Sequence, residues 1–205
     1  MSTTTANAKH GRREVNRERV AKLAAELWAR NSYHGTGIAE LSDAVGLGRG
    51  ALYHYIGSKE SLLYRISKTQ VDRMNDHAEE LLHADLPTED LLRGMARGLI
   101  RNIASHRAEW TVFFREYTAL TGDKRDRVVG ARERYEGYWR QALDRGVADG
   151  TLKPHPRLLI KGILGMLNYT YLWFDADGAV SPEELADDFL AALLDGMRGP
   201  SASSA

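Results

Sequence analysis

The residues best suited to chemistry in this sequence lie in one short stretch. Arg49, Tyr53, His54 and Tyr55 stand within seven residues of one another. Arginine presents a fork of donors that fits guanine edges and phosphate oxygens. The histidine adds ring N–H groups that suit a base or phosphate contact, and the two tyrosines add aromatic side chains beside it. This set of side chains predicts contact with DNA rather than covalent catalysis.

Two short helices must position these side chains. Ile38, Leu41 and Val45 recur at i, i+3 and i+7, the spacing of one apolar helix face. Gly46 then ends that helix, because glycine readily takes the left-handed conformation of a sharp turn. A second helix from Arg49 to Tyr55 exposes the arginine and the aromatics. Such a helix-turn-helix suits insertion into a DNA major groove.

A phosphate-binding loop is the competing interpretation of the same stretch. Gly46, Gly48 and Gly50 form a small glycine string. A nucleotide-binding fingerprint needs a preceding strand and a fixed spacing. The preceding residues have helical periodicity, and no Gly-Lys-Ser/Thr follows. The sequence context therefore disfavours a nucleotide loop.

The segment from about Thr36 to Leu63 resembles the N-terminal signature of TetR-family transcriptional regulators. The signature appears here as Thr36-Gly37, Ile38 to Val45, Gly46-Leu47, Gly48 to Gly50, Leu52-Tyr53-His54-Tyr55-Ile56 and Ser58-Lys59-Glu60. Three residues depart from it by small or size-compatible changes, namely Gly37, Ser42 and Ile56. The resemblance implies a DNA-binding domain of three helices followed by an effector-binding domain.

The helix-turn-helix interpretation and the resemblance together define a set of expected DNA contacts. The set is Thr36, Gly48, Arg49, Gly50, Ala51, Tyr53, His54, Tyr55 and Lys59. Arg49 is expected at base edges. By the resemblance, Lys59, Tyr53 and Tyr55 are expected at the phosphate backbone. The expected partner is double-stranded operator DNA.

Helical periodicity continues through the rest of the chain, which predicts an all-α protein. We expect a first helix from about Arg13 to Asn31 and a fourth from Ser58 to about His83, which would join the DNA-binding domain to the body. The predicted organisation is a flexible tail (1–11), a helix-turn-helix domain (12–60), a larger helical domain for ligand binding and dimerisation (61–199), and a second tail (200–205). The charge distribution agrees with a DNA-binding N-terminal domain. Residues 1–60 hold nine Lys and Arg against six acids, although the whole chain is neutral.

The two C-terminal helices predict a homodimer. Residues 158–174 are apolar on nearly every side, yet they span only roughly 25 Å as a helix, too short for comfortable bilayer crossing. A helix of this kind is buried between protein surfaces. Twofold pairing would place two recognition helices on adjacent half-sites, and the family resemblance implies the same interface. The expected interface residues are Leu159, Ile163, Leu185, Phe189, Leu193 and Met197.

Aromatic residues in the body predict a pocket for a small apolar effector. The candidates are Trp110, Phe113, Phe114, Tyr117, Met166, Tyr169 and Trp173. Ordinary core packing is the alternative for each of them. The segments Gly165 to Phe174 and Ser181 to Leu185 are similar to TetR regulators of lipid and sterol catabolism, some of which respond to acyl-CoA thioesters.

Signals for an enzyme, a metal or a cofactor are poor in this sequence. It contains no cysteine, and its seven histidines form neither an i, i+4 metal pair nor part of a nucleophile motif. We therefore expect no catalytic residue, no metal and no cofactor. No signal-peptide run and no membrane span are visible, which indicates a cytoplasmic protein.

Three hypotheses remain from the sequence. The first is a ligand-responsive repressor that binds a near-palindromic operator as a dimer. The second is a DNA-binding regulator without a small-molecule effector. The third, a remote one, is an all-helical enzyme or carrier with a fortuitous helix-turn-helix.

Overall fold

The computed structural model describes residues 3–197, with side chains from residue 16 to residue 196. Over that range the chain forms nine α-helices and one short 3-10 helix, and it contains no strand. The helices are α1 (Thr3–Asn31), α2 (Ile38–Val45), α3 (Arg49–Ile56), α4 (Lys59–His83), α5 (Thr88–Ser105), α6 (Arg107–Glu116), the 3-10 helix (Tyr117–Ala119), α7 (Gly122–Ala148), α8 (Leu159–Trp173) and α9 (Pro182–Met197). The predicted all-α class is confirmed.

The helix bounds follow the sequence closely except at the N-terminus. α4 covers the predicted segment, and the Ser58 hydroxyl accepts a hydrogen bond from the N–H of Ser61, as an N-cap does. α1 begins at Thr3 rather than near Arg13, so it includes most of the predicted tail. No proline interrupts those residues, and a single glycine costs a helix only about 1 kcal/mol. The predicted tail at 200–205 lies outside the described residues.

The chain divides into two compact units. The first contains the residues up to Gln70 together with Ala108–Val128, and the second contains Val71–Arg107 and the residues from Val129 onward. α4 and α7 each contribute residues to both units. The predicted domain boundary at residue 60 stays a prediction, but α6 and the start of α7 group here with the helix-turn-helix.

In the first unit, α1 packs against α2 and α3, and α2 packs against α3. Leu41, Leu52 and Ile56 are buried at these contacts; full burial of such a side chain contributes about 1.5–3 kcal/mol. The turn between α2 and α3 depends on Gly46, whose φ of 69° lies in the left-handed region. The N–H groups of Gly46 and Leu47 donate to the carbonyls of Asp43 and Ser42, which closes the end of α2.

In the second unit, α5 packs against α8 and α9, and α8 packs against α9. Leu92, Met95 and Leu99 of α5 are buried in this core. Its rim carries charge pairs between α5 and α9. Arg97 donates two hydrogen bonds to Asp187, at 2.7 and 2.5 Å. These pairs are partly exposed, so they fix the register of the two helices more than they stabilise them.

Candidate DNA interface

α3 presents the chemistry that the sequence predicts on its outer side. Arg49, Gly50, Tyr53 and His54 are exposed, whereas Leu52 is buried against the rest of the first unit. The division follows the period of the helix, since one face must supply core contacts while the other stays in solvent. Gly48 and Ala51 are also exposed. The arrangement places an arginine, a tyrosine and a histidine on the solvent-exposed side of a short helix.

The N-termini of α2 and α3 carry no side-chain cap. Gly37 precedes α2 and Gly48 precedes α3, and neither residue has a side chain that could accept the first N–H groups. Both glycines are exposed. Free N–H groups at a helix N-terminus favour anions, because the helix dipole is positive there. Both ends can therefore bind phosphate oxygens.

Thr36 does not face solvent, contrary to its predicted place among the DNA contacts. Its side chain is buried, and its hydroxyl donates to the carbonyl of Ser32 at 2.8 Å. That bond holds the turn between α1 and α2, just ahead of Gly37. Thr36 therefore positions the start of α2, because its only hydroxyl proton is already used.

The ammonium group of Lys59 is also occupied inside the protein. Its Nζ donates to the carbonyls of Tyr33 at 2.5 Å and Thr36 at 2.6 Å, and it lies 4.4 Å from the centroid of the Tyr33 ring. Burial lowers the pKa of Lys59, while the nearby carboxylates Glu116 and Glu40 oppose that effect. The lysine expected at a phosphate thus ties α4 to the turn between α1 and α2.

Tyr55 is half-buried and points toward α1 and α4. Its hydroxyl accepts a weak hydrogen bond from Asn16 at 3.4 Å, and its carbonyl accepts one from Arg65 at 3.3 Å. Arg65 also donates to the carbonyl of Arg17 at 3.5 Å. These bonds brace the C-terminal end of α3 against both neighbouring helices. An open groove of about 480 Å³ runs beside them, lined in part by His54.

Two carboxylates connect the helix-turn-helix to α6 and α7 within the first unit. Glu116 accepts the backbone N–H of Tyr33 at 3.1 Å. Glu60 accepts the N–H and the hydroxyl of Thr121 and the ammonium group of Lys124. These bonds, to Lys124 first, lower the pKa of Glu60. Sequence reasoning missed these contacts, because they join residues more than sixty positions apart and follow no spacing rule.

The α6 aromatics form one cluster in the first unit. Trp110 packs edge-on against Phe113 and stacks on Phe114, with ring centroids 5.4 Å apart in each pair. Phe113 contacts Tyr117 at 5.8 Å. Trp110 and Phe113 are buried. The packing alternative accounts for these contacts, and a pocket role for the four residues stays a prediction.

The effector-pocket candidates on α8, in the second unit, are more exposed than the sequence predicts. Tyr169 is 59% exposed and Trp173 is 49% exposed, while Met166 is half-buried. Tyr169 and Trp173 therefore do not line an internal pocket of this unit. Their register on α8 is the cause, since the inner face of the helix is taken by Ile163 and Leu167.

The predicted interface residues divide between the inside and the edge of the second unit. Ile163 is buried within the subunit, so its side chain is not available to a partner. Four others are half-buried, namely Leu159, Leu185, Phe189 and Leu193. Phe189 lies 6.2 Å from Trp173 between ring centroids. The side chain of Met197 lies outside the described residues.

Among the described residues, no cluster of three or more His, Asp or Glu side chains could hold a metal ion. No helix within the same range is long and apolar enough to span a membrane.

Comparison with known families decides what this helix-turn-helix belongs to. Residues 21–66 match the family described as "Bacterial regulatory proteins, tetR family", and residues 85–197 match "Tetracyclin repressor-like, C-terminal domain". The chain belongs to the TetR family. The two matched regions cover the helix-turn-helix and the helices from α5 to α9.

Individual relatives of this TetR-family chain are transcriptional repressors or regulators. The HTH-type transcriptional repressor KstR2 of Mycolicibacterium smegmatis is 23% identical over 184 residues, which are 88% of this chain and 90% of the relative. The TetR-family regulator PfmR of Thermus thermophilus superposes with a TM-score of 0.81 at 29% identity, covering 86% of this chain and 97% of PfmR.

AibR, solved with isovaleryl coenzyme A and operator DNA, superposes with a TM-score of 0.75 at 25% identity, covering 86% of this chain and 97% of AibR. The similarity therefore extends over both the DNA-binding and the C-terminal parts. The sequence-based assignment to this family is confirmed.

Proposed function

We propose that this chain is a ligand-responsive repressor. It binds a near-palindromic operator as a homodimer and is released by a small apolar effector. The observation that carries the DNA-binding half is the exposed side of α3, where Arg49, Tyr53 and His54 stand clear of the core. A good arginine–guanine contact is worth about 1–3 kcal/mol of base discrimination. We place this activity in the cytoplasm.

The homodimer is supported by an apolar stripe on the outer side of α8. The stripe consists of Leu158, which precedes the helix, and of Gly162, Gly165, Tyr169 and Trp173, all exposed. These positions share one helix face, and no side chain lies within 4 Å of the site of a Cβ on either glycine. Contiguous exposed apolar surface of this kind marks an interaction site. A second copy of the chain covers it, since a twofold pair matches two half-sites of an operator.

The effector is proposed to be an acyl-CoA thioester or another lipid metabolite. The AibR neighbour, solved with isovaleryl coenzyme A and operator DNA, supports that class. Effector binding must favour the DNA-incompetent arrangement to cause release. A typical coupling of about 1–3 kcal/mol would weaken operator binding roughly 5–150-fold.

α4 is the proposed route of this coupling, because it belongs to both units. The bonds of Glu60 to Thr121 and of Glu116 to Tyr33 add a second route inside the first unit. A shift of α6 would move the turn that Lys59 and Glu116 hold. The recognition helix follows directly after that turn and α2.

One pair of measurements tests the proposal. Duplexes are first selected from a random library by the purified protein, and binding to the selected duplex is measured by mobility shift. The shift is then repeated with a panel of acyl-CoA thioesters and lipophilic metabolites. Selection of a near-palindromic duplex and its release by one panel member support a ligand-responsive repressor. Selection without any release favours a regulator that has no effector, and failure to select any duplex contradicts DNA binding.

A further inference from the structure

Asn75 of α4 is a polar side chain in the apolar interior of the second unit. It is 3% exposed, and its Nδ2 donates to the carbonyl of Ala131 in α7 at 3.1 Å. A carbonyl only accepts, so this bond fixes which end of the amide faces α7. The other end, Oδ1, is buried and accepts no hydrogen bond from the described residues. An acceptor is thus left open inside the unit.

Two further polar groups follow on the same face of α7. Tyr135 and Trp139 stand one and two helical turns after Ala131, and both are buried. The indole N–H of Trp139, a side chain with 0% exposure, donates to no acceptor in the described structure. Burial raises the pKa of the Tyr135 hydroxyl, so that group stays neutral. The Trp139 indole N–H opposes that rise in pKa, so it is directed at the Tyr135 hydroxyl, although the geometry falls short of a full hydrogen bond.

The unpaired Asn75 Oδ1 and Trp139 indole N–H favour binding of a molecule that can form hydrogen bonds with them. A buried donor or acceptor without a hydrogen bond is costly, and native proteins keep few of them. Side chains on a helix lean toward its N-terminus, so the Trp139 side chain is tilted in the direction of Tyr135 and of Ala131, which Asn75 contacts. An unsatisfied donor and an unsatisfied acceptor therefore lie along one internal face between α4 and α7.

We infer that Asn75, Tyr135 and Trp139 hold the neutral polar group of the effector. A carbonyl oxygen accepts hydrogen bonds from the Trp139 indole and the Tyr135 hydroxyl, and a hydroxyl group donates to Asn75 Oδ1. The inference rests on the proposed function and narrows its ligand class to alcohols, ketones, esters or thioesters.

The effector group at this position cannot be a carboxylate, because the described interior offers no buried charged side chain to compensate it. In the described part of the second unit, no charged side chain is among the buried residues. A carboxylate placed there would remain uncompensated, and an unpaired buried charge is far more costly than an unpaired neutral group. The polar group that the site accepts is therefore neutral.

The probes for a test are three small molecules that share one ring: cyclohexanone, cyclohexanol and cyclohexanecarboxylate. The chain contains four tryptophans, so its proton–nitrogen NMR spectrum has four indole signals. Trp139→Phe removes one of them and thereby assigns it. Cyclohexanone and cyclohexanol should move the Trp139 signal, and cyclohexanecarboxylate should leave it in place. An unmoved signal with both neutral probes, or an equal shift by the carboxylate, overturns the inference.

Two variants then separate the roles of the acceptor and the donor. Asn75→Leu, which keeps the branched shape and the number of heavy atoms, should weaken cyclohexanol binding about tenfold and cyclohexanone binding less than about twofold. Tyr135→Phe should weaken cyclohexanone binding about fivefold, because it loses one donor and keeps its ring. Thr170→Val is the control, since Thr170 is buried in the same unit with its hydroxyl bonded to the carbonyl of Leu167. Binding of both neutral probes to that control should match the unmodified chain.

A purely structural Asn75 gives a different result. If the side chain only braces α4 against α7, Asn75→Leu lowers the melting temperature and leaves the ratio of cyclohexanol to cyclohexanone affinity unchanged. That unchanged ratio overturns the inference. Operator selection by the unmodified chain tests the proposed function separately. If the chain selects an operator but the Trp139 signal does not move with the neutral probes, only the binding site inferred here is contradicted. If the neutral probes move the Trp139 signal but the chain selects no operator, only the proposed repressor function is contradicted.

Discussion

Lys59 and Tyr33 form the contact that fixes the start of α4 beside the turn between α1 and α2. The ammonium group donates to the Tyr33 carbonyl at 2.5 Å and lies 4.4 Å from the centre of its ring. Two backbone carbonyls and an aromatic face thus satisfy a cation that the sequence places at a phosphate. The role of this lysine follows from that geometry: it positions the helix-turn-helix relative to α4.

Lys59→Met tests this positioning role. Methionine keeps the apolar stem but leaves the carbonyls of Tyr33 and Thr36 without a donor. We expect a lower melting temperature and weaker operator binding, with the salt dependence of binding unchanged. A salt titration of operator affinity measures this. A fall in the slope by about one unit would instead indicate a direct phosphate contact.

Arg49→Ala tests base recognition by α3. The side chain is exposed at the first turn of that helix, so we expect it to contact a guanine edge. Its loss should relax base preference at one operator position, at a cost of about 1–3 kcal/mol. Selection from a random duplex library measures the preference. Lys22→Ala removes an exposed cation from α1 and is the matched control, whose base preferences should not change.

Ser42→Ala should stabilise the protein. Ser42 is 5% exposed between α2 and its neighbours, and its hydroxyl has no hydrogen-bond partner among the described residues. Removing an unpaired buried hydroxyl should raise the free energy of unfolding by about 1 kcal/mol. In a chain of this size that corresponds to about 2–4 °C in melting temperature. Thr36→Val is the contrasting variant and should destabilise, because the Thr36 hydroxyl is bonded to Ser32.

We expect the contribution of Glu60 to the stability of the fold to be lost in acid. Its bonds to Lys124 and Thr121 hold its pKa below the ordinary value. The stabilisation is present above the unfolded-state pKa of about 4.3 and is lost as the pH falls through the lower folded-state pKa. The melting temperature of Glu60→Gln should therefore lie below that of the unmodified chain at neutral pH, and the gap should close in acid. Glu133→Gln, at an exposed position of α7, should leave no gap at either pH.

Tyr169→Glu tests the proposed dimer. A carboxylate in the α8 stripe would have to be desolvated at a subunit interface, which is costly without a partner. We expect the variant to sediment as a monomer and to bind a full operator much more weakly. Gln141→Glu adds the same charge at an exposed position of α7 and should remain dimeric. A dimeric Tyr169→Glu protein would contradict this placement of the interface.

The sequence by itself determined most of the helices and the exposed positions of Arg49, Tyr53 and His54 on α3. The apolar period of Ile38, Leu41 and Val45, the Gly46 turn and the Ser58 cap are local signals, and each acts within about two helical turns. Their physical causes are backbone sterics, capping and helical periodicity, which depend only on neighbouring residues. The family resemblance of this segment follows from the same local signals.

Only the tertiary structure decided what the polar side chains contact. Lys59 and Thr36 carry the residue types of DNA contacts, yet their polar groups are used by backbone carbonyls of the turn between α1 and α2. Tyr169 lies outside and Asn75 inside, because helix register against neighbouring helices sets which face is buried. The Thr36 bond is local, but the contacts of Lys59 and Asn75 join positions distant in the chain, so no local spacing reveals them. Their geometry arises only when the helices pack.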